Sequence, residues 1–272
     1  RNLVGRHADD ALAAQRGHPE RHLERGLHTL ALLGTARATS RAAAEHRAEQ
    51  VAQPAEPTDV EVLHARLASR TGAATNSIDD LADTHAILVI GANPSDAHPV
   101  TGAKIKQHVM KGKTLIVVDP RRTELARYAH HHLQLKPGTN VALLNMMMYY
   151  IVSEGLVKQE FVDKRTEGWA DFRKEILAVD IAAMERETGV DRELVRQAAI
   201  AYAKAPAAMS FHGLGVTEHY QGTFAVMQIA DLAMMTGNIG RRGVGVNPLR
   251  GQNNVQGAAD MGCQPHQGAG YF

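Results

Sequence analysis

Short apolar runs rich in β-branched residues recur along the chain from about Ser77 onward. Residues 86–91 (AILVIG) and 114–118 (TLIVV) carry no polar alternation, which predicts strands buried on both faces of a parallel sheet. Between them the apolar spacing changes to a helical period over residues 100–111. A short helix over 123–128 and a third strand over 131–135 extend the series to β-α-β-α-β. Further helices are predicted over 140–154, 159–164, 169–177, 192–204 and 223–235, with another strand at 208–212 (AMSFH). The fold class that follows is α/β: a three-layer, dinucleotide-binding-like domain built on a parallel sheet. Right-handed crossovers put the ends of such strands on one edge, where open parallel sheets bind ligands. Asn93, Asp119 and residues 137–139 are expected to converge there.

Residues 1–70 read differently. They are dominated by Ala, Arg, His and Glu and contain no Ile, Phe, Tyr, Trp, Met or Lys, a composition that packs a poor core. Helical spacing over 8–16 and 20–34 and a linker at 53–57 predict a helical or disordered atypical arm ahead of the α/β domain. His18 and His22 stand four residues apart, as two ligands on one helix face would, but no carboxylate or thiolate pattern accompanies the arm's histidines. They are read as solvated side chains. The break at Arg70 is the kind that a shifted reading frame upstream would leave. Domain boundaries are expected at about 70 and again near Asn253, where a following domain would start.

The 30 basic and 29 acidic side chains nearly cancel, so charge argues for neither nucleic acid nor an anionic membrane as a partner. The longest apolar stretch, 141–152, falls short of the roughly 20 residues that cross a bilayer, and no leader pattern opens the chain; a soluble, cytoplasmic protein is expected. A single cysteine, Cys263, permits no internal disulfide and cannot alone hold an iron-sulfur cluster.

Gly91, Ala92 and Asn93 follow the first strand without a G-x-G-x-x-G pattern, which disfavours a plain NAD site. Asp119, after Val118 at the end of the second strand and before Pro120, is placed to accept hydrogen bonds from ribose hydroxyls or a base edge. Arg121 and Arg122 offer donors to phosphate oxygens, and Gly138 would let the backbone approach a ligand after the third strand. Together these imply a nucleotide-bearing ligand. His130, His131 and His132 would alternate faces and so cannot share one metal. Met146, Met147 and Met148 are read as core rather than as a cofactor box. The glycines of the 213–219 loop would let its backbone approach a flat ligand, with His219 either a structural residue or a proton relay. The Gly-, Asn- and Gln-rich run 237–257 is expected to be neither a core element nor a linker.

In that run and the strand ends the chain resembles the molybdopterin guanine dinucleotide oxidoreductases, and among them the formate dehydrogenase large subunits. The resemblance covers about residues 72–272 and rests on ILVIGANPSDAHPV, LIVVDPRRTELA, LKPGTNVALLN, GLGVTEHYQGT and MMTGNIGRRGVGVNPLRGQNNVQGAADMG. It implies a fragment of an enzyme that oxidises formate to carbon dioxide. The cofactor would be bis-molybdopterin guanine dinucleotide carrying Mo or W, with a 4Fe–4S cluster in the complete subunit but not in this fragment. By position, Gly91, Ala92 and Asn93 match the first cofactor loop, Val118 to Arg121 the nucleotide-contacting strand end, and Pro137, Gly138 and Thr139 the third loop. Leu214, Gly215 and Glu218 match the loop beside the pterin, Gln252 the segment reaching the metal centre, and Arg250 the residue that would hold formate's carboxylate. Glu218 stands where relatives often have Gln. No residue is carried over as a metal ligand: Leu63 stands where the Cys or selenocysteine would be, and the iron-sulfur region is not recognisable. The implied partners are the remainder of the large subunit and electron-transfer subunits bearing iron-sulfur clusters and flavin or NAD sites. Two rival readings are a non-catalytic nucleotide-binding or assembly module and another oxidoreductase of the same superfamily.

Overall fold

The computed structural model describes residues 74–263 and 268–271. The expected elements and histidines of residues 1–70 lie outside the described residues. Five parallel strands form one sheet: β1 (Ala86–Ile90), β2 (Thr114–Val118), β3 (His131–Leu133), β4 (Ala208–His212) and β5 (Gly245–Pro248), in the order β3-β2-β1-β4-β5. The chain thus runs outward from β1 through β2 to β3, crosses back, and continues through β4 to β5. That reversal puts the topological switch point between β1 and β4, at the centre of the sheet. Leu88 of β1 pairs in register with Ile116 of β2 and with Ser210 of β4.

The helices are α1 (Pro94–Ala97), α2 (Pro99–Met110), α3 (Asn140–Ser153), α4 (Gln159–Arg165), α5 (Trp169–Leu177), α6 (Ile181–Thr188), α7 (Arg192–Lys204), α8 (Leu214–Thr217), α9 (Gly222–Met235) and α10 (Val255–Asp260). One face of the sheet, through Leu88, Ile90, Ile116 and Val118, packs on α3, α7 and α9; the other, through Ile87, Val89, Val117 and Phe211, packs on Ile105 of α2. Strand residues alternate between two cores, which is why β1 and β2 show no polar alternation. α3 is apolar on nearly every side and is enclosed by α7, α9, α6 and α5. Its Met146, Met147 and Met148 are buried in the larger core.

The expected strands at 114–118 and 208–212 and helices at 169–177 and 192–204 have the bounds anticipated. Three expectations fail, and one helix was not anticipated. The helix over 123–128 is one 3-10 turn, Leu125–Arg127. The third strand stops at Leu133, because Leu135 N donates to Leu133 O at 3.1 Å and the chain turns out of the ladder. α6 was not anticipated, although Asp180 caps its start by accepting from Ala183 N and Gly189 ends it with φ 72°. The run expected to hold no core element supplies β5, of which Gly245, Val246 and Asn247 are buried.

One backbone approach fixes the carboxyl edge. Gly215 N donates to Gly91 O at 2.9 Å, and a Cβ added at Gly215 would stand 2.7 Å from Gly91 O and 2.8 Å from Gly91 Cα. Gly215→Ala must therefore push two backbones apart, and we expect a loss of about 1–3 kcal/mol in a denaturant melt; an unchanged midpoint would show that this contact carries no constraint. Asp231 of α9 is 6% exposed, and burial pushes its carboxyl from the ordinary 3.8 up to about 8. The folded state then holds a proton that the unfolded chain releases, so stability is greatest below the ordinary value and falls as pH rises toward 8. Thermal melts of Asp231→Asn should lose this slope; parallel profiles for the two proteins would contradict it.

Candidate functional site

A cleft of about 160 Å³ opens at the carboxyl edge of β1, β2 and β3. It is lined by Gly91 after β1, Val118, Asp119, Pro120 and Arg121 at the end of β2, and Leu135, Lys136, Pro137, Gly138 and Asn140 after β3; Gly215 and His219 close it from the β4 side. Eight residues anticipated from the sequence meet there: Gly91, Val118, Asp119, Pro120, Arg121, Pro137, Gly138 and Gly215. The parallel order brings them together, since three successive strand ends are neighbours on one edge.

Asp119 is 3% exposed, and its Oδ1 accepts from Arg121 N at 2.8 Å. The Arg121 guanidinium lies outside, Nε 3.6 Å from the same oxygen. His132 props the strand end, its Nε2 3.1 Å from Asp119 O, while His130 Nδ1 accepts from Leu115 N at 3.1 Å. These rings serve the backbone of β2 and do not converge on one point. Across the cleft Gly138 has φ 86° and no atom within 4 Å of an added Cβ, so it faces open space. A side chain there would be strained by the left-handed backbone rather than crowded.

The Asn93 convergence does not occur. Its Nδ2 donates to Asp96 Oδ2 at 2.5 Å, and the side chain stays out of the cleft. Thr139 likewise turns away, its Oγ1 donating to Lys136 O at 2.7 Å, while its neighbour Asn140 lines the cleft and donates to Gly215 O at 3.2 Å. In the loop after β4, Gly213 packs its backbone against Gly91 and Ala92, while Gly215 touches Gly91 and also stays exposed in the cleft wall. Because Gly91 N donates to Val118 O at 2.9 Å and Gly215 N donates to Gly91 O, neither glycine has an N–H left for an anion. This is the physical difference from a glycine-rich phosphate loop, whose backbone donors point at the ligand. These two glycines therefore offer no backbone donor to a ligand in this cleft.

Ala92, Leu214, Glu218, Arg250 and Gln252 lie outside the cleft lining. Leu214 and the chain after β5 nevertheless touch the same edge, since a Cβ at Gly251 would stand 2.5 Å from Leu214 Cδ1. Arg250 is half-buried; its carbonyl lies 2.6 Å from His98 Nε2 and its Nη2 3.5 Å from Gln256 Oε1. His212, at the end of β4, is 3% exposed; burial and then the Arg250 charge push its imidazole down to about 4, so it stays neutral beside that cation. Its Nδ1 is buried without a hydrogen-bond partner. Glu218 and Gln252 are exposed. Sequence reasoning did not assign Lys136, Asn140 or His212 to the site; Lys136 and Asn140 flank the anticipated Pro137, Gly138 and Thr139, and that adjacency was the available signal.

Among the described residues no group of three His, Cys, Asp or Glu side chains is arranged to hold a metal ion, and no helix is long and apolar enough to cross a membrane. The cleft thus has a buried carboxylate at its base and cationic groups on its rim.

Comparison with known proteins agrees with this arrangement. Residues 46–269 match the family model for molybdopterin oxidoreductase. Formate dehydrogenase H of Escherichia coli (strain K12) is 44% identical over 200 residues, 74% of this chain and 28% of that protein. The F420-dependent formate dehydrogenase subunit alpha of Methanocaldococcus jannaschii is 45% identical over 201 residues, 74% of this chain and 30% of that one. The assimilatory nitrate reductase catalytic subunit of Bacillus subtilis is 31% identical over 197 residues, 72% of this chain and 28% of that protein. Among solved structures, acetylene hydratase from Pelobacter acetylenicus superposes with a TM-score of 0.57 at 26% identity, covering 66% of this chain and 24% of that one. This chain thus spans less than a third of the length of these proteins. With the sheet order, the edge cleft and the family match in agreement, the chain belongs to the molybdopterin oxidoreductase family.

Proposed function

We propose that this chain is the nucleotide-gripping α/β part of a formate dehydrogenase large subunit. The complete subunit would oxidise formate to carbon dioxide on a Mo or W centre held by bis-molybdopterin guanine dinucleotide, and pass two electrons to iron-sulfur clusters and partner subunits. The observation that carries the reading is the meeting of Asp119 and Gly138 in one cleft, in a chain 44% and 45% identical to proteins named formate dehydrogenase. When bound, the metal centre supplies the redox step, and the protein positions the substrate and sets the electrostatics.

Asp119 is suited to accept hydrogen bonds from the guanine edge or a ribose, because it is buried at a strand end and already oriented by Arg121 N. Arg121 offers guanidinium donors on the rim, and the turn at Pro137 and Gly138 leaves room for a ligand to lie close to the backbone. Ala92, Asn93, Thr139, Leu214, Glu218 and Gln252 would act outside this cleft, along the edge toward the pterin. Arg250 follows β5, two strand spacings from β1, or roughly 10 Å along the edge. That separation suits an extended cofactor with its nucleotide at one end of the edge and its reactive centre toward the other. At Arg250 a planar guanidinium can hold a carboxylate through two parallel hydrogen bonds, with neutral His212 behind it adding no competing charge.

The nitrate reductase similarity favours one rival, another oxidoreductase of the same superfamily. Arg250→Ala in the complete large subunit separates the two. If formate is the substrate, kcat/KM for formate should fall on the order of a hundredfold, mostly through KM, as expected when charge-assisted hydrogen bonds are lost. Unaltered formate kinetics would count against the formate assignment. Mass spectrometry of small molecules released from the purified complete subunit should find guanine nucleotide together with Mo or W; nucleotide without either metal would instead favour a non-catalytic binding module.

A further inference from the structure

The β4-side wall of the cleft comes from Gly215 and His219, and Gly215 has no side chain to offer. His219 is held in place by its backbone, its carbonyl accepting from Gly222 N at 2.8 Å as α9 begins. Its imidazole is half-buried and takes part in no hydrogen bond among the described residues. The cationic side chains of the cleft stand opposite, on the β2 and β3 side, and both have engagements of their own. Lys136 Nζ donates to Arg186 O at 3.0 Å in the last turn of α6, and Arg121 Nε faces Asp119. Gly91 has already spent its N–H on Val118 O, and Gly215 its N–H on Gly91 O.

We propose that His219 donates a hydrogen bond to the diphosphate bridge of the nucleotide that enters this cleft, meeting on the β4 side the charge that Arg121 meets on the β2 side. The inference rests on the nucleotide reading above and adds a binding residue to it. A ligand whose diphosphate lies over Gly91 must cross the gap between the two walls, and His219 supplies the side-chain donor of the wall that otherwise presents only backbone. An imidazole can fill this role in either protonation state, since one ring nitrogen carries a proton in both.

The test is calorimetric titration of the full 272-residue chain with GDP-mannose, which has a bridging diphosphate, and with guanosine, which has none. His219→Phe keeps a flat ring and removes the donor; it should weaken GDP-mannose binding about tenfold and leave guanosine within about twofold. His219→Lys restores a donor and should recover most of the lost affinity. Equal weakening of both ligands by His219→Phe would mark a structural role and overturn the proposal. Undiminished GDP-mannose binding by that variant would overturn it too, while leaving the nucleotide reading intact. If the unaltered chain binds neither ligand, the nucleotide reading itself fails and this inference fails with it.

Discussion

The backbones of Gly91 and Gly215 lie against each other at the end of the central strand, and that contact governs what the carboxyl edge can do. It draws the loop after β4 over the end of β1, where a side chain at either position would force the segments apart. It also uses the Gly215 N–H, while Val118 O takes that of Gly91, so neither is left to turn toward phosphate as in a nucleotide-binding loop. The cleft therefore has a glycine floor without free N–H groups, and its opposing walls come from separate halves of the sheet.

Sheet order then distributes the chemistry. The ends of β1, β2 and β3 form the cleft, whereas the segment following β5 carries Arg250 to the far side of the switch point. The half bearing Asp119 presents a buried carboxylate, and the half bearing Arg250 a half-buried guanidinium near a buried His212 whose imidazole is held neutral. Leu214, packed against Gly251, bridges the two. An elongated ligand laid along the edge would touch both halves, which is the arrangement a dinucleotide cofactor with a remote reactive centre requires.

The strands buried on both faces were legible because a continuous β-branched run has few other stable fates, and Asp119 was legible because it follows one of them directly. β5 was not. Gly245 adopts φ 129° with the Thr75 and Asn76 side chains packed beside it, and Asn247 is accommodated because its Nδ2 donates to Ser210 O at 3.2 Å. A strand supported by such specific polar contacts leaves no hydrophobic period to read. Asn93 was read from its position after β1; its Nδ2 donates to Asp96 Oδ2 and it does not line the cleft, a local contact the sequence does not show. His219 sits in a loop whose glycines suggested ligand approach, and only the tertiary contact with Gly91 shows which wall it occupies.

The central claim is that the cleft over β1, β2 and β3 holds the guanosine end of a molybdopterin cofactor. A structure of the complete large subunit with its cofactor bound tests it most directly. The account predicts the guanine or its ribose within hydrogen-bond distance of the Asp119 carboxylate, with the rest of the cofactor running along the carboxyl edge toward Arg250. A nucleotide seated elsewhere, with Asp119 facing only solvent or protein, would contradict it.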